Sequence, residues 1–188
     1  MRTPVMFVVG ALLGASAVAF GHRQNHGGSH VAATPGMPLA HTRNEFTIAI
    51  HGPLGEAVKL FGAEGERRWA GKDWNPQFVY PVPLREDVQG EVFTITRGGE
   101  RQSTWINTAL DASSGHVQYV YMVPGVLVTL IDIHVRPDGD GSKATIVYER
   151  TALTREANSH VEQMGKSDAS SGQHWETAIN AALAKSVK

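Results

Sequence analysis

Residues 65–81 read Gly-Glu-Arg-Arg-Trp-Ala-Gly-Lys-Asp-Trp-Asn-Pro-Gln-Phe-Val-Tyr-Pro. A charged segment ends in Trp69, Gly71 stops the helix that precedes it, and Trp74 leads through Asn75-Pro76 into the extended run Gln77–Tyr80. No catalytic signature has this form. Large aromatic side chains at such a corner bury against a core. Trp69 is therefore expected to end its helix packed on a sheet, and Trp74 to turn the chain into the next strand. The competing reading places both at the mouth of a cavity.

Upstream of the corner, Glu45–His51 alternates apolar with polar or small residues and reads as a first strand. Gly52-Pro53 breaks it, and Pro53 suits a helix start. Ala57, Val58, Leu60 and Phe61 follow at helical spacing, Gly62 stops that helix, and a second short helix runs from about Ala63 to Ala70. No crossover helix of normal length fits here, so a doubly wound α/β fold is excluded. Downstream, Phe78 to Leu153 is nearly all strand. Glu91–Arg97 and Arg101–Leu110 form a hairpin around Gly98-Gly99, and His116–Val123 and Val126–Arg136 form another around Pro124-Gly125. Pro137 to Gly141 marks a turn before Ala144–Leu153. A last helix spans roughly Arg155 to Val187, with Ala157, Val161, Met164, Trp175, Ile179 and Ala182 on one face. Asp168 and Ser171 interrupt that face beside Ser170 and Gly172, which are weak helix formers. Either the helix kinks there and exposes both polar side chains, the favoured reading, or it runs on and points them inward.

The order strand, two short helices, meander, long C-terminal helix resembles the START-like or Bet v 1-like superfamily. These are the helix-grip domains of polyketide-cyclase-like and lipid-binding (SRPBCC) proteins. The resemblance rests on Glu66-Arg67-Arg68-Trp69 with Trp74-Asn75-Pro76, Gly90-Glu91-Val92-Phe93, Ser103-Thr104-Trp105, Val123-Pro124-Gly125, and Thr145–Tyr148 running into Thr151–Thr154. It covers about Glu45 to Ala184. It implies an α+β fold, a curved antiparallel sheet of about seven strands around the C-terminal helix, with the two short helices plugging one end.

Three segments are expected. Residues 1–20 combine Arg2, an apolar run from Val5 to Phe20, and the small-x-small triplets Ala15-Ser16-Ala17 and Ala17-Val18-Ala19. They read as a secretory signal or, alternatively, a retained N-terminal anchor. Residues 21–43 read as a flexible tether with His, Gly and Pro. Its His22, His26 and His30 have metal-ligand spacing for a helix, but Gly27-Gly28 opposes a helix, so the favoured reading is a flexible tether whose histidines can loosely bind transition metals, with no defined metal site and no cofactor expected. Residues 44–188 form the domain, placed in the periplasm or outside the cell. The chain has no cysteine, which removes disulfides, thiolate metal sites and cysteine nucleophiles. A formal net charge of −1, with no run of Lys or Arg, argues against nucleic acid as a partner. A membrane enters only through the N-terminal segment if that is retained.

A sheet curled around a helix leaves an interior that folds of this kind use for an apolar ligand. Lining candidates are Phe78, Tyr80, Trp105, Tyr119, Tyr121, Met164, Asp168, Trp175 and Ile179, each of which also has an ordinary core role open to it. Asp132-Ile133-His134 has the form of a carboxylate beside a histidine, but alternation puts Ile131, Ile133 and Val135 on the buried face and Asp132 and His134 in solvent. HExxH, GxSxG, Walker and GxGxxG signatures are absent. The expectation is a binder of a hydrophobic or amphipathic small molecule, such as a lipid or an aromatic or polyketide-like compound, in preference to an enzyme. The alternative is a cyclase or dehydratase using Asp168, His160 or a tyrosine in the same interior; its mark would be a carboxylate and a histidine paired inside. The third reading is an interaction protein like the chaperone-cofactor branch of the superfamily.

Overall fold

The computed structural model describes residues 38–96 and 101–186. The signal segment, most of the tether and the Gly98-Gly99 turn lie outside the described residues. The elements are β1 (His41–Ile50), α1 (Leu54–Lys59), α2 (Ala63–Glu66), β2 (Gln77–Tyr80), β3 (Val92–Ile95), β4 (Ser103–Asp111), β5 (His116–Val123), β6 (Leu127–Asp138), β7 (Gly141–Ala152), α3 (Asn158–Ala169) and α4 (Gly172–Ser186). The seven strands form one antiparallel sheet in the order β1-β7-β6-β5-β4-β3-β2. Consecutive strands from β2 to β7 are neighbours, and β1 closes on β7, from His41 opposite Thr151 to Ile50 opposite Ser142. β1 thus starts inside the stretch read as tether, because His41–Arg43 already pair with β7.

Turn chemistry sets the register of the two long hairpins. Pro124 and Gly125 occupy the centre of the β5–β6 turn, where Val126 N–H donates to Val123 O (3.0 Å) and Gly125 takes φ +70°. This is the position of a type II turn that favours glycine. Between β6 and β7, Asp138 pairs with Gly141 and leaves a two-residue loop, whose first residue, Gly139, has φ +57°.

The strands bury one face. Ile48 and Ile50 of β1, Val117 and Tyr119 of β5, Ile131, Ile133 and Val135 of β6, and Ala144 and Ile146 of β7 all point inward. The helices cover that face from two directions. α1 and α2 bridge the edge strands β1 and β2, and Trp69 and Trp74 are buried beneath them, each donating its indole N–H to a helix carbonyl: Leu60 O and Ala63 O, both at 2.7 Å. The corner at 65–81 is structural, as expected. α2 has no cap from its own sequence. Its Glu64 and Gly65 N–H groups instead donate to the Asp87 carboxylate at 2.8 and 3.2 Å, so the β2–β3 connection supplies the cap that the helix lacks.

α3 and α4 lie against β1 and cover its free edge. The Ala49 and His51 N–H groups donate to Glu176 (2.8 Å) and Asn180 (2.7 Å), and Asn180 donates back to Ala49 O (2.9 Å). An unpaired strand edge is thereby satisfied by helix side chains. The expected single C-terminal helix is broken at Ser170-Ser171. Both serine hydroxyls donate to Ser167 O at 2.9 Å, diverting a carbonyl of the last turn of α3 from a continuing helix. The break matches the favoured reading, but the exposure of Asp168 does not. Asp168 is buried and faces the sheet, because a buried arginine waits for it there. Among the described residues no helix is long and apolar enough to cross a membrane.

Asp87→Ala leaves two amide donors of α2 without their partner. It is expected to destabilise the fold by about 1 kcal/mol, read as a lower urea midpoint with an unchanged m-value, while Glu64→Ala at the neighbouring exposed position changes the midpoint by less.

Candidate functional site

The interior between sheet and helices contains an arginine. Along β7 the inward positions are Ala144, Ile146, Tyr148, Arg150 and Ala152, so strand alternation carries Arg150 into the core. Its guanidinium meets Asp168 of α3 in a two-pronged ion pair, Nε to Oδ2 at 2.6 Å and Nη2 to Oδ1 at 2.7 Å. Nη1 donates to Thr129 Oγ1 of β6 at 2.9 Å and to the hydroxyl of Tyr121 of β5. The guanidinium carbon lies 4.6 Å from the centre of the Tyr148 ring. Burial opposes the charge, but the contacts with Tyr121 and Asp168 outweigh burial and hold the Arg150 pKa above its ordinary value. One cation is thus held by partners from four elements.

A second polar group sits deeper under α2. Glu91 is fully buried and accepts from Val88 N–H at 3.1 Å. The amide of Asn107 lies 3.3 Å from Glu91 Oε1 and 3.4 Å from the Tyr119 hydroxyl. Its orientation follows from its other neighbours: with Nδ2 turned to the main-chain oxygens of Gln118 (3.1 Å) and Ala109 (2.6 Å), Oδ1 faces Glu91 and Tyr119. An oxygen there accepts a hydrogen bond only from a protonated Glu91. Burial independently pushes the Glu91 carboxyl up to about 7, and both effects favour the neutral acid. Tyr119 donates to Phe61 O at 2.9 Å, and burial, then the charges of Glu66 and Glu91, raises its pKa well above that of a free phenol.

Aromatic rings separate and wall the two groups. Trp105 stacks on Tyr121 with ring centres 4.1 Å apart and meets Tyr119 edge-on at 6.2 Å. From α4, Trp175 packs on Trp69 (4.8 Å), Phe46 (5.5 Å) and Tyr148 (6.1 Å). Of the residues expected to line the interior, Trp105, Tyr119, Tyr121, Met164, Asp168, Trp175 and Ile179 are buried within it. Phe78 is half-buried against Phe93. Tyr80 is a correction: it is 63% exposed, because β2 is the sheet edge and alternation beyond Phe78 is broken by a register shift. His160 is half-buried on α3 and belongs to neither group. Asp132 and His134 lie on the outer face, as alternation requires, so the carboxylate–histidine pairing lies outside the interior. Sequence reading missed Arg150, Thr129, Glu91 and Asn107. Each was visible as a polar residue in phase with buried neighbours: Arg150 with Tyr148, Thr129 with Leu127 and Ile131, Glu91 with Phe93, and Asn107 with Trp105.

The Glu91 carboxyl predicts a pH signature. A folded pKa of about 7 against an ordinary value of 4.5 means that the folded state holds the proton more tightly. The contribution to stability is complete below about pH 4.5 and is lost as pH rises through about 7, by up to about 3 kcal/mol. Unfolding free energies of the parent and of Glu91→Gln, measured between pH 5 and 8, are expected to differ in slope, the parent losing stability with rising pH relative to the variant.

No family model matches the chain, and no curated protein matches it. Solved structures do. Norcoclaurine synthase from Thalictrum flavum, in complex with dopamine and hydroxybenzaldehyde, superposes with a TM-score of 0.56 at 12% identity over 84% of this chain and 98% of that one. Ara h 8.0201 matches with a TM-score of 0.53 at 13% identity over 77% and 99% of the two chains. A protein from Arthrobacter aurescens solved by solution NMR matches with a TM-score of 0.54 at 16% identity over 77% and 87%. With β1 paired to β7 at one edge of the sheet and its C-terminal helices laid over the buried face, the chain shares the helix-grip fold of these structures.

Proposed function

We propose that the domain binds a hydrophobic or amphipathic small molecule, of lipid, aromatic or polyketide-like character, between its sheet and its C-terminal helices. One observation carries this reading: an arginine held by Asp168, Tyr121 and Thr129 inside an aromatic interior. A core needs no such group. Burying an ion pair costs several kcal/mol per ion, and replacing one with apolar residues of similar volume is often neutral or stabilising. A binding site does need it, because apolar walls supply affinity at roughly 25 cal/mol per Å² and one fixed polar group supplies orientation. Trp105 and Tyr121 on one side and Trp175 on the other are the apolar walls nearest the arginine's partners. The structural neighbour that holds dopamine and hydroxybenzaldehyde shows that this fold accommodates small aromatic compounds with polar substituents. Residues 1–20 support a site of action outside the cytoplasm, in the periplasm or beyond, and the intact mass of the native protein tests that placement.

A second reading, acid–base chemistry of the cyclase or dehydratase kind on the same molecule, is favoured by Glu91 alone. A buried carboxyl that titrates near neutrality can both give and take a proton at working pH.

Two experiments test these readings. Denaturing mass spectrometry of organic extracts from protein purified without detergent from its native host is expected to release a stoichiometric apolar compound, absent from a folded Trp105→Ala control. An empty extract removes the carrier reading. The double variant Arg150→Met with Asp168→Leu is expected to fold with stability unchanged or raised by about 1–4 kcal/mol and to lose the compound, whereas Asp168→Leu alone costs about 3–5 kcal/mol by stranding the guanidinium. A double variant that unfolds while the single variants stand would make the pair structural. If the second reading holds, Glu91→Gln keeps the compound and stops its conversion.

A further inference from the structure

The outer face of the sheet carries a cluster that the interior does not use. His116 of β5 and His134 of β6 are directly opposite in the antiparallel ladder, and Gln118 is opposite Asp132. All four point away from the core, since Val117, Tyr119, Ile131, Ile133 and Val135 between them are buried. The Asp132 carboxylate lies between the two imidazoles, with His116 Nε2 at 2.7 Å from Oδ1 and His134 Nε2 at 3.2 Å from Oδ2. The rings are parallel within 3°, with centres 4.7 Å apart. One ligand atom from each of the three residues lies within 4.8 Å of the others.

We propose that His116, Asp132 and His134 bind one divalent transition-metal ion on the outer face of the sheet. Two imidazole nitrogens and one carboxylate oxygen form the borderline donor set that zinc, copper, nickel and iron accept, with coordination positions left for water or an external ligand. Magnesium and calcium, which require mostly oxygen donors, suit it poorly. The arrangement is built on rigid backbone. Cross-strand pairing fixes the spacing of the two histidines, and the two-residue strand repeat places Asp132 on their face. Gln118 Nε2 donates to Asp132 Oδ1 at 3.1 Å, an outer contact that holds the carboxylate in orientation. Because adjacent residues face opposite ways, the sheet separates this position from the Arg150 interior. The proposal departs from the expectation of no defined metal site; strand alternation alone reads Asp132 and His134 as a solvated pair and does not join His116 to them.

The test is calorimetric titration of the full-length chain with zinc sulfate. His22, His26 and His30 also offer imidazoles, so the titration is run on a chain with those three changed to alanine. That chain is expected to take one zinc per molecule. In the same background, His134→Ala and Asp132→Asn are expected to abolish the binding, and Gln118→Ala to weaken it about tenfold, with far-UV circular dichroism showing all three folded. In the chain with every site residue intact, zinc is expected to shift the imidazole carbon-proton signals of His116 and His134 while leaving those of His51 and His174 in place. Loss of all binding once the three N-terminal histidines are replaced, binding that persists through His134→Ala, or unmoved His116 and His134 signals would each overturn the proposal.

Discussion

The ion pair between Arg150 and Asp168 is the contact that fixes how the end of α3 meets the sheet. It joins β7, the strand beside the β1 edge, to the far end of α3, and its remaining partners come from β5 and β6. Helix energetics do not explain where Asp168 stands. A carboxylate in the last turn of a helix faces the negative end of the macrodipole and is unfavourable there, yet Asp168 is one residue from the end of α3. The guanidinium offsets that penalty and the desolvation of both groups, provided the geometry is two-pronged and the other N–H groups are satisfied. Both conditions hold. The helix then ends immediately, with Ser170 and Ser171 closing on Ser167 O, so α4 is free to turn along β1 and deliver Trp175 to the other side of the interior.

Two buried carboxyls in one interior are held in different ways, and the difference is in their partners. Asp168 faces a guanidinium. Glu91 faces main-chain amides and the Asn107 side chain, whose oxygen needs a proton from it. Burial is the largest influence on the Glu91 carboxyl, and it raises that group. The outcome is a fixed cation-bearing group near the helix and a proton-holding group near α2, with Trp105 between them, stacked on Tyr121 and edge-on to Tyr119. Orientation of a bound molecule by Arg150 requires only the first of these two groups.

The fold was legible in the sequence because each level agreed with the next. Pro124-Gly125 and Asp138-Gly139 marked the turns, period-two alternation marked the buried faces of β5 to β7, and the Trp69–Pro76 corner marked the join between helices and meander. The site was less legible, and for one physical reason. Apolar periodicity identifies a face by its majority, so Arg150, Thr129, Asn107 and Glu91 were passed over as minority polar residues on faces that were otherwise buried. Burial of a polar side chain is decided by a partner on another element, and strand-internal patterns contain no record of that partner. Asp168 shows the same limit from the other side. The weak helix formers after it correctly indicated a break, but only Arg150, eighteen residues earlier on a different element, determines that the carboxylate turns inward. Tyr80 failed in the opposite direction, since a register shift on an edge strand removed the alternation that would have placed it inside.

One register serves both sides of the sheet. The pairing of β5 with β6 that sets Val117 opposite Ile133 and Tyr119 opposite Ile131 also sets His116 opposite His134 and Gln118 opposite Asp132. A slip of one residue would bury the histidines and expose the isoleucines, so the apolar burial that fixes the interior fixes the outer cluster at no further conformational cost. The same two strands supply Tyr121 and Thr129 to the guanidinium. An ion bridging His116, Asp132 and His134 would therefore cross-link the ladder whose inner face holds Arg150. It would act on the interior by stiffening the β5–β6 pairing, not by touching a bound molecule, because the side chains on the two faces never meet.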